Sequence, residues 1–159
     1  MKIVKTIAVL GMATIALATN EARAEPCNGH VVSKALPSIL MREAPDGSKV
    51  IWVSSEGLFV VDQPEDHPAN WVNRICGGGM KMAPDGKSGA GMGTCSYADM
   101  GGDVFHLTWQ LSPSGGTWQV TSGTGKFEKM SGSGTFTPRK RYDNHWGAST
   151  WKGECSFGE

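Results

Sequence analysis

In Asp103-Val-Phe-His-Leu-Thr-Trp-Gln-Leu111 apolar and polar positions alternate: Phe105, Leu107, Trp109 and Leu111 share one face, His106, Thr108 and Gln110 the other. A period of two belongs to a strand that buries one side. The alternation returns near the C-terminus, where Trp151, Cys155 and Phe157 lie opposite Lys152, Glu154 and Ser156. Val50 to Val61 is rich in β-branched and aromatic residues but is interrupted by Ser54-Ser55-Glu56-Gly57. Two strands around a tight turn, or one bulged strand, both fit that segment. From residue 25 onward no stretch sustains a helical period.

Turn residues separate these runs. Ala-Pro-Asp-Gly occurs at 44–47 and again at 83–86, with Pro supplying a fixed φ and Gly the position of positive φ. Ser112-Pro-Ser-Gly-Gly116 is a third turn, and Asp62-Gln-Pro-Glu-Asp-His-Pro68 is an acidic loop. Short strands at this spacing predict an all-β, antiparallel sheet, as a barrel or a sandwich. Closure into a barrel is favoured because it removes exposed edges.

The first 24 residues read differently. Lys2 and Lys5 precede an apolar run from Ile7 to Ala18, and Ala22-Arg23-Ala24 is a small-x-small cleavage site. That is the pattern of a secretory signal, with a core too short to span a bilayer comfortably. Residues 1–24 are therefore expected to be removed and 25–159 to form one domain, periplasmic or secreted, with no membrane attachment afterwards. Without Lys2, Lys5, Glu21 and Arg23 the chain keeps 12 basic and 14 acidic residues. Nucleic-acid binding, which calls for a strongly basic face, is not expected. Arg139-Lys140-Arg141, between Pro138 and Asp143-Asn144, reads as a solvated loop.

Four cysteines remain in 25–159: Cys27, Cys76, Cys95 and Cys155. An even count in an exported chain predicts two disulfides. Cys76 and Cys95 are nearly equidistant from the turn at 83–86, so a hairpin folded there sets them opposite one another, within bridging range. Cys27–Cys155 follows, tying the first strand to the last. No Cys-x-x-Cys pair suggests a metal site.

The segment Ser122-Gly-Thr-Gly-Lys-Phe-Glu-Lys-Met-Ser-Gly-Ser-Gly-Thr-Phe136 invites a phosphate-loop reading, which fails on spacing: Phe127 follows Lys126, and Val120 stands where the first Gly is needed. Its glycines are expected to shape the sheet, Gly123 and Gly125 at a reversal and Gly132 and Gly134 where strands approach closely. Phe127 is expected to plug one barrel end. Gly123-Thr-Gly-Lys-Phe127, with Gly132 and Gly134-Thr-Phe136, resembles the Gly-Thr-Gly-x-Phe-x(4)-Gly signature of the allene oxide cyclase and dirigent-like (calycin-type) barrels, and is similar to small exported bacterial proteins of unassigned function. Asp99-Met-Gly-Gly-Asp-Val104 and Trp146-Gly-x-Ser-Thr-Trp151 fit the same layout. The resemblance covers about the last 60 residues. It implies an eight-stranded antiparallel barrel around a central cavity, stapled here by the two disulfides. It carries over no catalytic residue.

Six tryptophans, Trp52, Trp71, Trp109, Trp118, Trp146 and Trp151, suit either a barrel core or an aromatic pocket. Trp109 and Trp151 share their faces with other large apolar groups and are the inward candidates. In the 76/95 register Arg74 and Tyr97 are also opposite, which predicts a guanidinium stacked on a ring. Asp99, Asp103 and His106 follow closely enough to form a polar end to a cavity. The expected ligand residues are thus Arg74, Tyr97, His106, Trp109 and Trp151. Met80, Met82, Met92 and Met100, with His106, offer soft donors for Cu(I) as an alternative. No nucleophile elbow and no His-based zinc motif occurs, so neither a catalytic set nor a cofactor is assigned. The reading is a barrel that binds a small, partly apolar molecule. The alternatives are an isomerase or cyclase working by preorganisation, or a protein acting through its surface alone with a filled interior.

Overall fold

The computed structural model describes residues 24–62, 65–142 and 145–158. The expected signal segment, except Ala24, lies outside them. Ten strands follow in order: β1 (Glu25–Pro26), β2 (Gly29–Ala35), β3 (Ile39–Glu43), β4 (Lys49–Val61), β5 (Val72–Met82), β6 (Gly89–Ala98), β7 (Val104–Ser112), β8 (Gly115–Gly123), β9 (Met130–Arg141) and β10 (Trp146–Phe157). The one helical piece among the described residues is a 3-10 turn, Gly125–Phe127.

Each strand from β4 to β10 pairs antiparallel with the next, and β2 pairs with both β10 and β4, so the sheet closes. β1 and β2 run along β10 in one register: Glu25 faces Cys155 and Gly29 faces Trp151. β3 then continues along β4, Ile39 opposite Trp52. The three short pieces are one interrupted barrel strand, broken once at Cys27-Asn28 and once around Pro37, which has no N–H for a ladder. Counted so, the barrel has eight strands.

The Ser54–Gly57 interruption is neither a turn nor a bulge, because β4 passes through it as thirteen continuous residues paired with β5. Arg139-Lys140-Arg141 is not a loop either: its backbone completes β9 against β10. Pro138 is tolerated there because the β9–β10 register shifts between Ala148 and Ser149, beside the imino acid. The repeated Ala-Pro-Asp-Gly makes the β3–β4 and β5–β6 turns. In each, the Gly N–H bonds the Ala carbonyl at 2.9 Å, with φ of 80° at Gly47 and 67° at Gly86.

Inward positions along the barrel fall into two halves. One is packed: Phe59, Tyr97, Phe105, Leu107, Val120, Phe127 and Met130 are all buried. Tyr97 stacks on Phe105 with ring centroids 4.5 Å apart, and Phe105 meets Phe127 edge-on at 5.0 Å. Phe127 is fully buried and closes this end, as expected of a plug. Gly125, with φ of 53°, turns the chain inward to deliver it; an added Cβ there would collide with the Asp103 carboxylate. The segment after β4 closes the same end, with His67 and Ala69 buried and the His67 ring edge-on to Phe157 at 5.2 Å. Both disulfides form as expected, Cys27–Cys155 and Cys76–Cys95, with Cα atoms 5.6 and 4.1 Å apart.

Candidate functional site

The other half is hollow. A cavity of about 280 Å3 opens at the end away from Phe127, lined by Val53, Cys76, Met80, Leu111, Phe136 and Trp151 among others. It exists because inward residues there are small or set back: Ala35, Ser55, Cys76, Cys95 and Ser149 stand where the packed half carries rings. Trp109 forms part of the wall by lying over Gly78 and Gly93 on the neighbouring strands, where any Cβ would strike its ring. Glycine at those positions clears the space the indole occupies. Trp151 stacks on Phe136 at 5.2 Å and donates its indole N–H to Ser149 Oγ at 2.9 Å. Its orientation is therefore held by both ends of the side chain.

Among the described residues, one charge enters this apolar space. Arg74 comes from β5, directly opposite Tyr97 of β6 and next to the Cys76–Cys95 pair, in the register expected from the sequence. Its Nη1 donates to Ser55 Oγ at 3.3 Å, while Nε is buried with no acceptor in the protein. The Trp109 indole N–H is likewise buried without an acceptor. Among the described residues no carboxylate lines the cavity or pairs with Arg74. The Tyr97 hydroxyl is close enough to the guanidinium to interact with it, but the pair falls short of good hydrogen-bond geometry. Burial pushes the Tyr97 pKa up to about 12, and the nearby Arg74 cation opposes that rise only in part.

Of the five expected ligand residues, three, Arg74, Trp109 and Trp151, line the cavity. Tyr97 sits one layer deeper, in the packed half, and its stacking partner is Phe105 rather than the expected guanidinium. His106 is on the outer face, where Nδ1 is 2.9 Å from Ser96 Oγ; an even-numbered position on β7 points away from the core that Phe105 and Leu107 face. Asp99 and Asp103 do not polarise the cavity. They belong to the plugged end, where Asp99 Oδ2 pairs with Lys126 Nζ at 2.7 Å and Asp103 Oδ2 accepts the Lys126 N–H at 3.2 Å. The glycine-rich segment thus meets carboxylates, not phosphate. The methionines do not converge: Met80 lines the cavity, while Met92 and Met100 are exposed, Met92 on the outer face of β6 and Met100 in the turn after it. Met82, two residues beyond Met80 on β5, shares its face, so the four-methionine set for Cu(I) reduces to that pair.

Three tryptophans, Trp109, Trp118 and Trp151, are interior; Trp52, Trp71 and Trp146 are substantially exposed. The sequence reading missed Ser55, Phe136, Pro138 and Ser149 as cavity residues. For Ser55 a signal existed: it faces Cys76 across the β4–β5 pair and follows the alternation of Phe59 and Val61. Two broader hollows lie on the outside of β6–β9 against Thr108, Gln110 and Thr117. They are open surface, where little of a ligand would leave water.

Among the described residues no helix is long and apolar enough to cross a membrane. The two disulfides suit an oxidising compartment.

No protein-family model matches the chain. No curated protein matches it either. Solved structures do. The chain is similar to the pterocarpan synthase dirigent protein PsPTS1, with 11% sequence identity and a TM-score of 0.52, over 87% of this chain and 98% of that one. It is similar to the pterocarpan synthase dirigent protein GePTS1 with 10% identity and a TM-score of 0.52, over 94% and 100% of the two chains. At such identities the likeness concerns fold. This chain has the fold of the dirigent proteins, a closed eight-stranded antiparallel barrel.

Proposed function

We propose that this is an exported, periplasmic or secreted protein that binds a small, partly apolar molecule inside the open half of its barrel. One observation carries the reading: a cavity of about 280 Å3 with apolar and aromatic walls and few polar groups, closed at one end and open at the other. Ligand sites have this composition, and a barrel mouth is a recurrent place for them. A surface-only protein would be expected to have a filled interior. Side chains such as Ile39, Leu40 and Met41 are exposed, but the hollow half has no role in that alternative.

The isomerase or cyclase alternative draws on two solved neighbours, both pterocarpan synthase dirigent proteins. Acid–base catalysis would need a titratable group working near neutral pH. Tyr97, with its pKa pushed up to about 12, remains a phenol there and lies below the cavity floor. Binding is the better supported role.

Native mass spectrometry of protein recovered from its own extracytoplasmic compartment tests this. A retained small molecule is expected, released on unfolding and displaced by an apolar dye. Bare protein that also takes up no dye refutes the proposal.

A further inference from the structure

Among the described residues, the cavity holds a cation and no counter-charge. Arg74 reaches into a space walled by Val53, Met80, Leu111, Phe136 and Trp151. Its protein partner is a neutral hydroxyl, Ser55 Oγ, and its Nε has none. Carboxylates on or beside the flanking strands are engaged or turned away: Asp99 and Asp103 hold Lys126 at the far end, and Glu56 is exposed on the outer side of β4. Tyr97 is the one acid next to the guanidinium, and burial keeps it protonated. Arg74 is half-buried, and its Nε, shielded from water, is a donor left without an acceptor, which is costly. An apolar site that keeps such a group has its complement in the ligand.

Resting on the cavity-binding reading above, we infer that the molecule bound is a monocarboxylate with a compact apolar body, its carboxylate received by Arg74 and Ser55 at the cavity floor. A guanidinium fork matches a carboxylate in shape as well as charge. The Ser149 hydroxyl and the Trp109 indole N–H lie in the same wall. Size narrows the class further. A dry cavity of roughly 150 Å3 holds benzene, so about 280 Å3 holds two fused rings or one ring with a short chain. A long fatty acid would leave most of its chain outside. Flat walls from Trp109, Phe136 and Trp151 favour an aromatic body.

The test is calorimetric titration of the full mature protein with 2-naphthoate and, separately, with 2-naphthamide, which has the same shape and no charge. Naphthoate is expected to bind at least tenfold more tightly than the amide. Arg74→Met is expected to weaken naphthoate by about thirty-fold or more, the lower end for truncating one partner of a buried charge pair. The same variant should weaken naphthamide by a clearly smaller factor, since the amide carbonyl accepts from the guanidinium but carries no charge. Arg74→Lys, which keeps the charge but loses the fork, should retain part of the preference, and it guards against a result caused by lost folding. If the amide binds as well as the carboxylate, the anion inference is overturned and the cavity reading stands. If neither compound binds, both fall.

Discussion

Replacing Phe127 by alanine should destabilise the barrel far more than the same truncation at Leu111. Phe127 is fully buried, meets Phe105 at 5.0 Å and Phe157 at 6.4 Å, and has the Lys126 ammonium 4.9 Å from its ring centroid. Removing its ring empties space that β-strands on all sides hold open. The loss is then the transfer term plus a cavity term, about 3–5 kcal/mol for a buried Phe→Ala. With an unfolding entropy of about 2.1 cal/mol/K per residue, residues 25–159 give roughly 0.28 kcal/mol/K, so Tm should fall by roughly 10–18 °C. Leu111 lines the hollow half and is only partly buried. Its truncation widens an existing solvent-connected space and makes no new void, so about 1 kcal/mol is expected from the lost apolar contact. Urea unfolding of both variants with disulfides intact, followed by tryptophan fluorescence, measures the difference. Equal losses, or less than about 1.5 kcal/mol at Phe127, would refute the division into a packed and a hollow half.

The two disulfides should differ in worth. Cys27–Cys155 closes a separation of 128 residues and Cys76–Cys95 one of 19, so paired Cys→Ser variants should lose about 5 and about 3 kcal/mol respectively on the chain-entropy account; the reverse order in urea unfolding contradicts it. His67 is buried, accepts the Ala69 N–H at Nδ1, and has its pKa lowered below the ordinary 6.5, mainly by burial. The unfolded chain therefore takes up this proton first: the contribution is complete above about pH 6.5 and is lost as pH falls through the lowered folded pKa. The urea midpoint should drop between pH 7 and pH 5, and the drop should shrink in His67→Phe; an unchanged slope removes His67 as its cause. Gly125→Ala places a Cβ at φ 53° against the Asp103 carboxylate and should cost at least about 1–2 kcal/mol from conformation alone. In an Asp103→Ala background the same change should cost less, and strict additivity would refute the collision.

The parts legible in sequence were those that depend on local order. Strict alternation set the inward face of β7, and the turn at 83–86 fixed the 76/95 and 74/97 pairings, because a hairpin's register follows from its turn. Trp109 and Trp151 were placed inside for the same reason. What failed depended on distance along the barrel axis. Asp99 and Asp103 are close to Tyr97 in sequence yet cap the opposite end from the cavity, whereas His106 faces outward as the alternation along β7 itself required. Nothing local separates a strand's two ends by function. His67 was hidden differently, in a polar, proline-containing loop with no periodicity, where only the closed barrel end supplies the packing that buries it. Pro138 read as the edge of a loop because the irregularity that accommodates it, the extra residue Arg139 on β9, appears only once β9 is paired with β10.

The two halves of the barrel are made by one rule applied to different sizes of side chain. Alternation sends Phe59, Tyr97 and Phe105 inward in one half and Ser55, Cys76 and Cys95 inward in the other. The Cys76–Cys95 bridge accentuates this, drawing two already small side chains together against the wall between β5 and β6. Arg74 and Tyr97 mark the border, one residue pair deeper than the bridge. There the phenol, kept neutral by burial, cannot cancel the guanidinium at any pH near neutrality. On the binding reading proposed above, a positive charge at the bottom of an apolar, aromatic space would discriminate between ligands by charge and by shape together.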